Sequence, residues 1–113
     1  MRSKISSLSK SEDFKSLLKG RKISNPYSTI FFKKISSKSN KLLNVSFVTK
    51  KKIGNAVKRN KIKRRLRNIM NDAMKTITMN LNYSYLFIAK KNIYDANYKM
   101  IKDSILKDLT KVR

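Results

Sequence analysis

Apolar residues recur at helical spacing through the middle of the chain. Ile62, Leu66, Ile69 and Ala73 fall at i, i+4, i+7 and i+11, which is one stripe of an α-helix. That helix is expected from about Asn55 to the mid-seventies. An earlier helical pattern places Phe14, Leu17 and Leu18 on one side. Ser9 and Glu12 read as a capping box behind Leu8, Glu12 and Asp13 suit the first turn, and Gly20 stops the helix. A last helix carries Tyr98, Ile101, Ile105 and Leu109 on its apolar face, with Asp95 as the expected cap. Strand patterns occupy residues 27–35, 42–49 and 83–90. Leu43, Val45 and Phe47 alternate to one side of the second. The third contains Leu86-Phe87-Ile88-Ala89 with no polar alternation, so a central position with both faces covered is expected. The polar run at 36–40, SSKSN, predicts a hairpin between the first two strands. Residues 1–8 read as a loose basic arm and residues 22–26 as a connector, with Pro26 at a strand start or edge.

This order predicts one α+β domain over residues 1–113, a two-layer sandwich with helices over a small sheet. Parallel strands joined by a helix follow a right-handed crossover as a general rule.

Charge changes the picture. The chain has 29 Lys and Arg against 6 Asp and Glu, a formal net charge of +23. A hydrophobic fraction of 40% still supports a folded domain rather than disorder. The partners of so basic a surface are polyanions. No apolar run is long enough to span a bilayer, and the opening MRSKISSLSK has basic residues without an apolar core. A cytoplasmic protein with no membrane partner is therefore expected. Cysteine and histidine are absent, which removes thiol chemistry, disulfides and the commonest general base. The acids Glu12, Asp13, Asp72, Asp95, Asp103 and Asp108 show no spacing suited to paired acid–base work. Asp103 and Asp108 sit beside lysines, where ion pairing explains them. With only Gly20 and Gly54, there is no glycine-rich phosphate loop, and no zinc-type cluster. Binding, not side-chain catalysis, is the expected role.

Residues 50–67, KKKIGNAVKRNKIKRRLR, concentrate that role. They hold ten Lys or Arg and no acid. A solvated helix face is the ordinary reading of charged residues, but such faces mix signs and form i, i+4 acid–base pairs. Here Arg59, Asn60, Lys61, Lys63, Arg64 and Arg67 fan out beside the apolar stripe without one carboxylate. Arg can fork onto phosphate, Lys acts as a point charge, and Asn60 can both donate and accept towards a base or a 2′-OH. The aromatics Phe14, Tyr27, Phe31, Phe32, Tyr83, Tyr85 and Phe87 fit either a core or a base-stacking face. A general RNA-binding protein without a cleavage partner, or a DNA reader with its helix in a major groove, would use the same helix. Tolerance of deoxy replacement separates the DNA reading from the RNA ones.

The run 51–67 closely resembles the signature of the bacterial ribonuclease P protein component. Its residues are Lys51, Lys52, Gly54, Asn55, Ala56 and Val57, then Arg59-Asn60-Lys61, Ile62, Lys63-Arg64, Leu66 and Arg67. Ser-Glu-Asp-Phe at 11–14 and YLFIAKK at 85–91 extend the likeness over the chain. Three positions depart from the family pattern. Lys61 replaces an arginine and loses the bidentate fork. Arg65 replaces an apolar residue at the edge of the stripe, from which it can snorkel outwards. Leu18 stands where a second aromatic is common. The resemblance implies a left-handed strand–helix–strand crossover, as in the second domain of a small-subunit ribosomal protein. It implies that Lys58, Arg59, Asn60, Lys61, Lys63, Arg64 and Arg67 bind the ribonuclease P RNA. It also implies a cleft for the single-stranded 5′ leader of precursor tRNA, lined by Phe14, Leu18, Tyr27 and Ile30, with Lys51, Lys52 and Asn55 near its rim. Cleavage and Mg²⁺ would belong mainly to the RNA subunit. No catalytic or metal-ligating side chain is expected in the protein, and no DNA partner.

Overall fold

The structure, a computed structural model, describes residues 5–7, 11–34, 43–76 and 83–112. The chain runs β1 (Ile5–Ser7), α1 (Ser11–Leu18), β2 (Arg21–Ser24), β3 (Ser28–Lys34), β4 (Leu43–Val48), α2 (Ala56–Thr76), β5 (Tyr83–Ala89) and α3 (Tyr98–Leu109). Short 3₁₀ turns at Lys51–Ile53 and Lys91–Ile93 precede α2 and α3.

β5 is the centre of a five-stranded sheet ordered β1-β4-β5-β3-β2. It pairs antiparallel with β3 and parallel with β4. Its uninterrupted apolar run suits the central strand, with neighbours on both edges and cover on both faces. The expected hairpin between β3 and β4 is therefore not formed, because β5 lies between them. A parallel β4–β5 pair cannot close through a short turn; it needs a crossover, and α2 supplies it. The polar run at 36–40 lies outside the described residues.

Two further expectations are corrected. The supposed connector contains β2, which pairs with β3 from Arg21↔Phe32 to Ser24↔Thr29. Asn25 builds the turn: its Oδ1 accepts from the backbone N–H groups of Tyr27 and Ser28, both at 2.8 Å. With Ile23 as its single apolar residue, β2 is an edge strand that pairing stabilises more than burial. The basic arm contains β1, whose Ile5, Ser6 and Ser7 pair in parallel with Leu43, Asn44 and Val45.

Strand alternation sorts the core into two unequal halves. Ile30, Phe32, Val45, Tyr85, Phe87 and Ala89 face α2 and α3, where Ile62, Leu66, Ile69, Met70, Ala73, Ile101, Ile105 and Leu109 meet them. Burial, with Tyr83 adding to it, holds the Tyr85 hydroxyl well above its ordinary pKa. On the opposite face Leu17 of α1 packs on Leu86, flanked by half-buried Phe31, Val48 and Ile88. The expected two layers are thus the sheet and the α2–α3 layer, and α1 adds a partial third.

Asn97, not Asp95, caps α3: its side chain accepts from the Lys99 N–H at 2.8 Å. The 3₁₀ turn at Lys91–Ile93 delays the helix past Asp95. Asp108 on α3 forms the expected ion pair with a lysine of its own helix end, Lys111, and is also buried. It accepts from Asn25 Nδ2 at 3.0 Å, which ties α3 to the β2–β3 turn, and Lys111 Nζ lies 3.8 Å from it.

Gly20 ends α1 as expected, its N–H bonded to Leu17 O at 3.0 Å. It also lets α1 approach β3. A Cβ there would lie 2.8 Å from Phe32 O and 2.9 Å from Lys33 Cβ. Backbone cannot yield as a flexible side-chain tip does, so Gly20→Ala is expected to cost about 1–3 kcal/mol. Urea unfolding monitored by circular dichroism measures it; an unchanged midpoint would contradict the close approach.

Candidate nucleic-acid interface

α2 starts from Asn55, whose Oδ1 accepts from the Lys58 N–H and whose backbone carbonyl accepts from the Arg59 N–H, both at 3.0 Å. No acid sits in the first turn. The positive end of the helix dipole therefore adds to the charges of Lys58 and Arg59, with no carboxylate to offset either. This end of the helix is electrostatically frustrated in the free protein, and an incoming polyanion relieves it.

The stripe is buried as the spacing predicts. Ile62, Leu66, Ile69 and Ala73 are all at most 1% exposed, and Met70 widens the stripe. At about 100° per residue, the remaining positions divide into two flanks. Lys58, Lys61 and Arg65 lie along one flank, over the ring of Tyr94. Their charged groups are 4.9, 5.7 and 6.0 Å from its centroid. Arg65 Nη1 also donates to Tyr94 O at 3.2 Å, so the snorkelling arginine is anchored where it emerges. Cation–π attraction and this hydrogen bond keep the three cations side by side despite their repulsion.

Asn60, Lys63, Arg64 and Arg67 form the other flank, towards β4. Between them and Val45 and Phe47 lies a cavity of about 400 Å³. Arg59 is half-buried at the edge of the stripe. Its Nε is buried and meets no hydrogen-bond partner among the described residues. Asp72, the one acid of α2, is engaged elsewhere, 3.2 Å from Lys102 Nζ on α3.

Of the residues expected at a leader cleft, Leu18 on α1 is 50% exposed. Lys51 and Lys52 are exposed on the 3₁₀ turn that follows β4, and Asn55 is exposed at the start of α2. Phe14 is placed on α1 by the backbone, and its side chain lies outside the described residues. Ile30 needs correcting, while Tyr27 is half-buried. Ile30 is 0% exposed beneath α2, on the face opposite α1, and Tyr27 packs against the same core. The β3 residue on the α1 side is Phe31. The sequence left Phe31 open between core and stacking face and did not single out Phe47 or Tyr94 beside α2, because each depends on which face a residue takes or on a contact distant in sequence.

The family model for ribonuclease P matches residues 3–113. The chain belongs to the ribonuclease P protein family. It is the protein subunit of a ribonucleoprotein endoribonuclease of tRNA processing, and its partner is the ribonuclease P RNA. The ribonuclease P protein component of Fusobacterium nucleatum is 34% identical to it, covering 96% of this chain and 94% of the relative. That of Alkaliphilus oremlandii is 32% identical over 96% and 91%. Among solved structures, the Staphylococcus aureus ribonuclease P protein superimposes with a TM-score of 0.76 at 25% identity, over 93% and 92% of the two chains. The Thermotoga maritima ribonuclease P protein has the same fold, with a TM-score of 0.79 at 22% identity over 96% and 98%. No helix among the described residues is long and apolar enough to cross a membrane.

Proposed function

We propose that this chain grips the ribonuclease P RNA with α2 and lays the 5′ leader of precursor tRNA across the α1 side of the sheet, promoting removal of the leader. The observation that carries it is the buried stripe of α2, which holds Lys58, Arg59, Asn60, Lys61, Lys63, Arg64 and Arg67 in a fixed array with no carboxylate among them. A preorganised array binds phosphate without paying to order each side chain at the moment of contact. Neutralising phosphates also lowers repulsion between the two RNAs, so less Mg²⁺ is needed. The left-handed hand that the family resemblance implies for the β4–α2–β5 connection belongs to this reading.

The leader path in this reading runs over Leu18 and Phe31, past Val48 and Ile88, towards Lys51, Lys52 and Asn55, with Phe14 on the same helix as Leu18. Aromatic and apolar groups offer stacking surfaces to unpaired bases, and the lysines hold the backbone. Mg²⁺ and the cleavage step are assigned to the RNA. Two of the protein's acids are already engaged, Asp72 by Lys102 and Asp108 by Asn25. Among the described residues no three potential ligands gather.

Adding the protein to a bacterial ribonuclease P RNA at low Mg²⁺ is expected to produce mature tRNA 5′ ends. Their absence would overturn the reading. Leu18→Asp puts a negative charge in the leader path, and like-charge contact costs several kcal/mol when close. It is expected to raise KM for leader-bearing precursor on the order of tenfold, with affinity for the RNA subunit unchanged. Equal losses in both would contradict a separate leader path.

A further inference from the structure

We infer that the cavity between β4 and α2 is a pocket for one unstacked nucleotide of an RNA, with its base on Phe47 and its phosphate on the α2 cations. The inference rests on α2 being the RNA-contacting element and adds what that element takes. At about 400 Å³, the cavity lies within the range of pockets that enclose small ligands. Its floor is β4, with Val45 and Phe47 and the polar Ser46 between them; its wall is Asn60, Lys63, Arg64 and Arg67. No carboxylate lines it among the described residues.

The two kinds of lining match the two halves of a nucleotide. Phe47 is half-buried and leans on Phe87, centroids 5.6 Å apart at 47°. Its ring is thus held from behind while it lines the cavity, a rigid platform on which a base can stack. Lys63, Arg64 and Arg67 supply charge for the phosphate, and the arginines can fork onto it. Asn60 carries both a donor and an acceptor, as a base edge does. The other flank of α2 differs in kind. The cations there already lie over Tyr94, so that flank suits backbone phosphate alone. A bare phosphate needs no aromatic floor, and a base paired in a duplex cannot reach one. An unpaired, unstacked nucleotide uses both the aromatic floor and the cationic wall.

The test titrates the full chain with AMP and with ribose 5-phosphate, which has the same phosphate and sugar but no base. Calorimetry is expected to show AMP binding roughly 5- to 100-fold tighter, the range that stacking one base on an aromatic ring provides. Phe47→Leu keeps an apolar floor and removes the ring; the preference for AMP is expected to vanish while ribose 5-phosphate binds as before. Nuclear Overhauser contacts between adenine protons and the Phe47 ring in the unaltered chain give a readout that does not depend on the variant folding. Equal affinities for the two ligands, a preference that survives Phe47→Leu, or adenine contacts elsewhere would each overturn the pocket. Binding of the ribonuclease P RNA, measured in parallel, separates this outcome from the wider reading. RNA binding without an AMP preference sinks the pocket alone; an AMP preference without RNA binding sinks the role of α2 in holding the RNA subunit.

Discussion

Replacing Arg59, Arg64 and Arg67 together with alanine is expected to weaken binding of the ribonuclease P RNA on the order of 100-fold at about 0.1 M salt, since charged hydrogen bonds contribute about 1.5–3 kcal/mol before solvent screening. The slope of log affinity against log salt should also flatten by about 0.7–0.9 for each phosphate that is no longer neutralised. The slope is the sharper measurement. A variant that merely loosened the fold would bind more weakly at every salt concentration and keep the original slope. Arg64 and Arg67 are exposed on the flank towards β4, so their removal takes little from the core. Arg59 is half-buried, and its Nε has no hydrogen-bond partner among the described residues. Truncating it therefore strands no acceptor of that N–H. The fold should survive the triple substitution, with an unfolding midpoint close to that of the unaltered chain. Filter binding across a salt series decides the point, and an unchanged slope would remove α2 from the RNA interface.

Leu66→Ala should have the largest effect on stability. Leu66 is 1% exposed, at the centre of the stripe that fastens α2 to β3, β4 and β5. Truncation there creates a cavity, and buried Leu→Ala changes cost about 2–5 kcal/mol. In a domain of this size that is a large share of the total. Net charge aggravates it, since +23 on 113 residues repels itself in the compact state. Raising ionic strength is therefore expected to raise the unfolding midpoint of both the variant and the unaltered chain, as screening shortens the reach of that repulsion. Thermal unfolding at two salt concentrations measures both effects. RNA affinity should fall with stability even though Leu66 touches no phosphate, because the array depends on its anchor. A folded Leu66→Ala protein with unaltered stability would mean that α2 is held by something other than this stripe.

The elements most visible beforehand were those whose pattern is local. The stripe of α2, its start near Asn55, the ten cations of residues 50–67 and the central β5 all follow from neighbours within a few positions. A helical repeat or a continuous apolar run needs no knowledge of distant residues, and the family motif lies wholly inside such a stretch. What failed was long-range. The hairpin inferred from 36–40 assumed that consecutive strands pair, but β5 offers β4 and β3 a more apolar neighbour than either offers the other. β2 has too little apolar surface to announce itself and exists because β3 offers an edge.

The sequence alone thus determined that a rigid helix of cations stands on a hydrophobic stripe, because periodicity and charge density are properties of adjacent residues. Only the tertiary structure decided what that helix faces. In a strand a shift of one residue exchanges the two faces, so nothing local told Ile30 from Phe31. Packing set Ile30 beneath α2 and Phe31 beside α1. The same packing brought Phe47 and Tyr94 to opposite flanks of one helix, since contacts between residues far apart in the chain are chosen by how the whole core closes.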